Sequence, residues 1–503
     1  MTRRSAKLAW GAAALTLLAH LLGNPHYGFF RDELYFIVCG RHPAFGFVDQ
    51  PPLTPLLAAA SQLFGHSLFA LRAISAVCAA TAVFVTCLVV RELEGGVFAE
   101  LLAALAVALA PVLIAFGTLV TTDMLGLWAW PLLTLLVIRQ VKGAPPRGWL
   151  WVGAAVALAG NAKYSVFFLV LALVGGLLLT PERKVFATRW FAAGLGLAAA
   201  LLLPNFLWQA VHGFPMLELL HNGQLGKNVQ LSPAGFLLQQ AVLLTPLLAL
   251  LALMGLGWLF SRAQWRWLGL SLLLLFALMV GLHAKAYYPA DVYPVAFAAG
   301  AVAVEGLTQR RRALRPVIAG LVVLLCAPFA PLALPILSEQ TYLAYAASLR
   351  RAGVPLPSPG EHHAQAALGQ VYADMHGWPQ LAATVARVYR SLPPEQRAKA
   401  TIAASNYGEA AAIDFFGASD GLPPVLSGHN QYFLWGPHGA SGDVVIDVNG
   451  DCGAQAHLFR ERRLAATFSA PYVMPYEDQL PIWVCVGITR PLPQIWPSLK
   501  HYI

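Results

Sequence analysis

Six ionisable side chains stand where charges are scarce, and their types suit proton transfer and the holding of an anion. Asp32 and Glu33 are adjacent among the aromatics of Tyr27-Gly-Phe-Phe-Arg-Asp-Glu-Leu-Tyr-Phe36, and Asp49 precedes the double proline of Val48-Asp-Gln-Pro-Pro-Leu53. Asp123 follows Thr121 and Thr122 at the head of an apolar run. Carboxyl groups held in apolar surroundings shift in pKa and serve as bases or metal ligands. Lys163, in Asn161-Ala-Lys-Tyr-Ser165, and Lys285, in His283-Ala-Lys-Ala-Tyr-Tyr-Pro289, are compact positive charges suited to a phosphate. Tyr35, Tyr287 and Tyr288 offer aromatic faces for a sugar ring or a lipid chain. Plainer roles compete: Asp32 and Asp123 as helix N-caps, Arg31 and the lysines as charges snorkelling to a membrane surface, and the tyrosines as an aromatic belt.

The elements that position these residues are read from hydropathy. Of 503 residues, 58% are hydrophobic and 11% charged, against about a quarter charged in soluble domains. That balance excludes an ordinary soluble enzyme, a disordered chain and a fibrous repeat. Apolar runs of bilayer length cover 7–23, 67–90, 97–117, 122–141, 148–162, 164–180, 187–207, 233–260, 265–283, 289–306 and 315–337. About eleven transmembrane helices are expected, with the break at Asn161–Tyr164 the least marked.

Most basic residues fall in alternate connections: Arg3, Arg4 and Lys7, then Arg91, Arg139 to Arg147, Arg183 to Arg189, Arg262 and Arg266, and Arg310 to Arg315. Arg31, Arg41, Lys163, Lys227 and Lys285 occupy the opposite side. The positive-inside rule then sets the N-terminus in the cytoplasm and the six chemical residues on the outer face. The net charge of +9 is thereby a topology signal, and no nucleic-acid partner is implied. The first apolar run lacks a small-residue cleavage site, so an uncleaved anchor is expected.

An odd number of spans leaves everything after about 338 outside the cytoplasm. The expected organisation is an all-α polytopic membrane domain at 1–337, a linker at 338–369 marked by Pro355, Pro357, Pro359 and Gly360, and a small extracytoplasmic α/β domain at 370–503. In the last part the pattern predicts helices at 377–391, 407–416 and 454–464 and strands at 400–405, 423–427, 443–448 and 482–489. Cys452 and Cys485 share this domain and either pair in an oxidising compartment or remain free. Asn406, Tyr407, Glu409, His429, Asn430, Tyr432 and Trp435 read singly as packing residues. As a group, His429 and Asn430 belong to a loop that could face the membrane site and touch an acceptor.

Taken in order, Arg31-Asp-Glu-Leu-Tyr-Phe36, Val48-Asp-Gln-Pro-Pro-Leu53, Thr122-Asp-Met-Leu125, Ala162-Lys-Tyr-Ser165 and Lys285-Ala-Tyr-Tyr-Pro289 resemble the bacterial GT-C membrane glycosyltransferases. More narrowly they are similar to glycosyltransferase family 39, which is related to protein O-mannosyltransferases and to the aminoarabinose transferase of lipid A. Ser405-Asn-Tyr-Gly-Glu-Ala410 and Ser427-Gly-His-Asn-Gln-Tyr432 look like the outer domain of the same subgroup. The resemblance implies transfer of a sugar from a polyprenyl-phosphate donor to an envelope acceptor, whether lipid A or lipopolysaccharide, another glycan or protein, at the outer face of the cytoplasmic membrane. It implies Asp32 as general base, Glu33 as its support or a metal ligand, and Asp123 as the second acid, orienting acceptor or binding metal. Lys163, Lys285 and Arg31 would bind the donor phosphate, with Asp49, Tyr35, Tyr287, Tyr288, His429 and Asn430 lining the substrate. A divalent metal on Asp32 and Asp123 is an optional cofactor. Gln50 stands where the aminoarabinose-transferase relatives carry a lysine, which moves the phosphate role toward Lys163, Lys285 and Arg31. The chain is expected to act as a monomer.

Two other classes compete. A secondary transporter or lipid flippase would also carry intramembrane acids, but the acids cluster at one surface and no pair of broken helices with inverted-repeat symmetry is evident near the midplane. A noncatalytic assembly or sensing protein would tolerate replacement of Asp32.

Overall fold

Backbone polar groups in a bilayer have no water to bond, so a crossing segment must close its hydrogen bonds internally. The computed structural model describes residues 3–356, 361–450, 452 and 456–503, and every one of the eleven apolar runs contains helix. Six helices are long and apolar enough to cross a membrane: Arg3–Gly23, Leu68–Glu92, Arg189–Val211, Ala263–Gly281, Tyr288–Leu307 and Leu314–Leu332. Two bent pairs bring the number to eight if each is one crossing, Val97–Leu109 with Pro111–Thr118 at 64° and Pro233–Leu244 with Pro246–Ser261 at 114°. Each bend falls at a proline, Pro111 or Pro246, whose missing N–H and bulky ring interrupt the ladder.

Trp149–Gly160 and Val166–Leu178 have 12 and 13 residues. At about 1.5 Å rise per residue neither spans a hydrocarbon core of roughly 30 Å. The chain is a multi-pass membrane protein, with six to eight crossings supported by length and composition among the described residues. At its centre Leu68–Glu92 packs against Arg3–Gly23, Gly126–Val141, Val97–Leu109 and Tyr293–Leu307. Buried Ala76, Ala79, Ala80 and Ala82 on that helix let the backbones approach closely.

After the last membrane helix, Glu339–Arg351 forms a helix where a linker was expected; Pro357, Pro359 and Gly360 lie outside the described residues. A five-stranded sheet follows in the order β2-β1-β3-β5-β4, made of β1 (Ala400–Ala404), β2 (Val425–Leu426), β3 (Val444–Val448), β4 (Phe459–Phe468) and β5 (Leu480–Ile488). β1 pairs parallel with β2 and β3, while β5 runs antiparallel to β3 and β4. Cys452 and Cys485 form a disulfide beside the sheet. The helix expected at 454–464 is corrected: residues 454 and 455 lie outside the described residues, and from Phe459 the chain is the edge strand β4. Its run Arg460-Glu-Arg-Arg463 is exposed, and such charges protect an open sheet edge from pairing with another chain.

The helix Tyr407–Phe416 joins this region to the membrane part, lying against Arg31–Arg41. Asn406 caps it through bonds from the Gly408 and Glu409 amides, and Glu409 returns the contact to the Asn406 amide, a capping box. Gly408 permits the close approach, since a Cβ there would meet Arg31 Cγ at 2.4 Å.

Candidate active site

Phe30 is the N-cap of the helix Arg31–Arg41, with no side-chain cap from Asp32. Capping therefore does not account for Asp32. Successive side chains diverge by about 100° around a helix, and the two adjacent acids have opposite surroundings. Glu33 is fully buried. Its oxygens accept from Arg72 Nε and Nη2 at 3.0 and 2.9 Å, from the Phe30 amide at 2.9 Å and from the Val120 amide at 3.1 Å. Arg72 also donates to the carbonyls of Asn24, His26 and Gly28. A buried, fully bonded pair of this kind fixes the path of residues 24–33 and leaves Glu33 without a free face.

Asp32 faces the other way. Tyr407 donates its hydroxyl to Asp32 Oδ1 at 2.8 Å, and Arg31 Nε stands 3.7 Å from the same oxygen. The Asp32 side chain is 30% exposed, against 17% for Glu361, 11% for Asp123 and none for Glu33. Arg31 donates through Nη1 to Tyr476, which donates to Asp374 Oδ1, while the Arg31 amide bonds the Asp374 carbonyl. Its guanidinium lies 5.2 Å from the Tyr407 ring centre. Burial pushes the Asp374 carboxyl above its ordinary range, with Arg31 opposing.

Asp49 is brought to the same region. Tyr35 donates to Asp49 Oδ1 at 3.0 Å and Asn430 Nδ2 approaches Oδ2 at 3.4 Å. Burial raises this carboxyl to about 7 despite those bonds, and the charge of Asp32 adds to the shift. The 427–432 segment is the clasp: Gln431 donates its amide to the Tyr35 hydroxyl and accepts the Val48 amide on Oε1. His429 and Asn430 are buried. His429 accepts the Tyr407 amide on Nδ1, so Nε2 carries the hydrogen and donates to the Ile503 carbonyl; burial lowers its pKa to about 3. His429 thus bonds the Tyr407 backbone and Asn430 approaches Asp49.

The expected phosphate ligands are divided. Lys163 is 2.5 Å from Asp123 Oδ1, and its ammonium lies 4.5 Å from the Tyr288 ring centre and 5.7 Å from that of Tyr287. Asp123 is not an N-cap, because the next helix starts at Gly126 with Leu125 before it. Lys285 contacts Glu361 Oε1 at 2.6 Å, and Lys227 lies 3.9 Å from the same oxygen. The Tyr287 hydroxyl, kept protonated by burial, lies in the field of Asp123, Glu361 and Asp32 and so links the two halves of the site.

Among the described residues no three His, Cys, Asp or Glu side chains converge to hold a metal ion. Asp123, one of the two acids expected to bind a metal, is paired with Lys163. The sequence reading passed over Arg72, Lys227, Glu361, Asp374 and Tyr476. Arg72 carried a usable signal, because a charge inside a bilayer-length apolar run needs a partner. Glu361 and Asp374 carried none, being acids in a polar stretch.

Residues 49–208 match a family model described as dolichyl-phosphate-mannose-protein mannosyltransferase. The fold is similar to that of ArnT from Cupriavidus metallidurans in its crystal structure bound to undecaprenyl phosphate, at 15% identity and TM-score 0.59, covering 95% of this chain and 98% of that one. The apo crystal structure of the same protein gives 16% identity and TM-score 0.60 over the same shares. No curated protein sequence matches. The resemblance to GT-C membrane glycosyltransferases drawn from the sequence motifs is thus met by a family model and by a shared fold.

Proposed function

We propose that the chain is an integral membrane glycosyltransferase that moves a sugar from a polyprenyl-phosphate donor to an envelope acceptor at the outer face of the cytoplasmic membrane. The observation that carries this reading is the state of Asp32, the most exposed of the acids paired at the site, with one oxygen fixed by Tyr407 and the other without a partner among the described residues. A general base needs that combination of fixed orientation and open access. In support stand the mannosyltransferase model over 49–208 and the fold shared with a protein crystallised with undecaprenyl phosphate.

In this reaction Asp32 takes the proton of the acceptor hydroxyl as its oxygen attacks the anomeric carbon in line with the leaving group. The bond from that carbon to the phosphate oxygen breaks, and its electron pair leaves on the lipid phosphate. Arg31, 3.7 Å from Asp32, and Lys285 are the cations set to stabilise that anion. Lys163 is paired with Asp123 and lies over the Tyr288 ring. In this reading the positive-inside rule sets the N-terminus in the cytoplasm, with a membrane domain at 1–337, a linker at 338–369 and an outer domain at 370–503.

The test is transfer of radiolabel from polyprenyl-phosphate sugars in membranes holding wild type or Asp32→Asn, with envelope lipids and proteins as acceptors. Label entering one acceptor class with wild type and lost with a folded Asp32→Asn supports the reading and identifies the acceptor class. Equal transfer by the variant removes Asp32 as the base, and no consumption of any donor removes the transferase reading.

A further inference from the structure

Lys227 and Lys285 converge on a single carboxylate, that of Glu361, and among the described residues neither lysine has another acid within ion-pair distance. Side-chain exposures of 27%, 16% and 17% for Lys227, Lys285 and Glu361 leave the group shielded yet reachable. Burial lowers the Lys227 pKa, with Glu361 opposing and the cations Arg31 and Lys285 adding to the fall. The same ammonium lies in the field of Asp32. At Glu361 itself two lysines face one carboxylate, while Arg31 is matched by Asp32 and Asp374.

Glu361 is lightly tethered. It belongs to no helix or strand and meets Asn228 in an isolated bridge, with His362 donating its amide to the Lys227 carbonyl. Glu33, by contrast, is held by four partner groups in the interior. A carboxylate and a phosphate present similar oxygen acceptors to an ammonium, but the lipid phosphate released by transfer is a monoester carrying about −1.5 to −2 charges near neutral pH, whereas the sugar-bearing donor is a diester carrying one. Two lysines match the monoester's charge better than they match a single carboxylate.

We propose that Glu361 occupies the seat of the lipid phosphate left after transfer, held there by Lys285 and Lys227, and that this phosphate monoester binds by displacing it. The proposal deepens the transferase reading and rests on it for the identity of the anion. Lys227 becomes a phosphate-binding residue beside Lys285. The exchange also gives product release a local competitor: the carboxylate returns to the lysines as the lipid phosphate departs.

The experiment is equilibrium binding of undecaprenyl phosphate to the purified full chain in detergent micelles, read by intrinsic tryptophan fluorescence, for wild type, Glu361→Gln, Lys227→Met and the double variant. Undecaprenol and inorganic phosphate serve as separate probes, and transfer is not required for the readout. Glu361→Gln is expected to bind undecaprenyl phosphate about tenfold more tightly and Lys227→Met about tenfold more weakly, with undecaprenol unchanged in both. A comparable gain for inorganic phosphate with Glu361→Gln shows that the headgroup alone carries the competition. Unchanged or weaker binding of undecaprenyl phosphate by a monodisperse Glu361→Gln overturns the proposal, since the carboxylate then only braces the lysines. If Glu361→Gln does not purify as a folded protein, Glu361→Asp decides the matter: its shorter reach weakens the plug, and tighter binding is expected, with equal or weaker binding overturning the idea. Failure of sugar transfer with these binding changes intact would strike the transferase reading and leave the anion exchange standing.

Discussion

Tyr407 and Asp32 are 375 residues apart in sequence and 2.8 Å apart in space, the phenol donating to Oδ1 of the carboxylate. The C-terminal region thus supplies a positioning residue to the site on the first loop. Tyr407→Phe keeps the ring packed 4.6 Å from that of Tyr35 and deletes only the hydrogen bond. Bonds to charged acceptors contribute about 1.5–3 kcal/mol, so kcat is expected to fall roughly 10- to 100-fold with KM for the donor within about twofold. Initial rates at saturating and limiting donor separate the two terms, and an unchanged kcat would remove Tyr407 from the positioning role.

Glu33 and Arg72 predict a different kind of loss. Removing one partner of a buried, hydrogen-bonded ion pair costs about 3–5 kcal/mol because the other charge is left unpaired. Glu33→Gln and Arg72→Met should lower the unfolding midpoint of the detergent-solubilised protein sharply, whereas Asp32→Asn should leave it near wild type while abolishing transfer. A Glu33→Gln protein as stable as wild type but inactive would return Glu33 to a direct chemical role.

Asp49 gives a pH dependence with a definite sign. Its carboxyl is raised to about 7 in the folded protein, chiefly by burial, from about 3.9 when unfolded. Between those values the folded state holds the proton that the unfolded state has lost, so this group's contribution to stability falls as pH rises through that window and is flat above it. Asp49→Asn abolishes the titration. Relative to wild type, the variant should be more stable at pH 8 than at pH 5, as measured by unfolding midpoints in one detergent. A difference that is constant with pH would show that Asp49 does not titrate there.

The legible parts of the molecule were those written in local pattern. Hydropathy placed all six helices that are long enough to cross a membrane among the described residues, though it counted eleven runs, and alternation with turn residues found β1, β3 and β5 close to their observed ends. What failed depends on partners far away in sequence. The charged start of β4 reads as a helix until its place at a sheet edge is known, and bilayer-length apolar runs do not reveal that Pro111 and Pro246 break them. Type, spacing and the family resemblance pointed to Asp32, Asp49, Lys285 and the Ser427-to-Tyr432 loop as candidates, and the structure brings Asp49 and that loop into contact. The separation of Asp32 from Glu33 was not legible, because it is set by Arg72 on another helix. Nor could the sequence show that Lys163 already has its anion.

That last pairing supports the strongest remaining prediction. With side chains only 21% and 11% exposed, Lys163 and Asp123 are shielded enough for their attraction to count, and each single neutral substitution strands the other charge. Lys163→Met and Asp123→Asn should each destabilise by about 2–4 kcal/mol, while the double variant should recover a large part of the sum, giving a coupling above about 1 kcal/mol. If Lys163 instead served the donor phosphate directly, Asp123→Asn would free it and lower the donor KM, and Lys163→Met would raise that KM without coupling to Asp123. A double-mutant cycle read in both unfolding midpoint and donor KM decides between them. The structural pairing requires strong coupling in stability and similar donor KM among whichever variants remain active, because the anion is then held elsewhere, at Lys285 and Arg31.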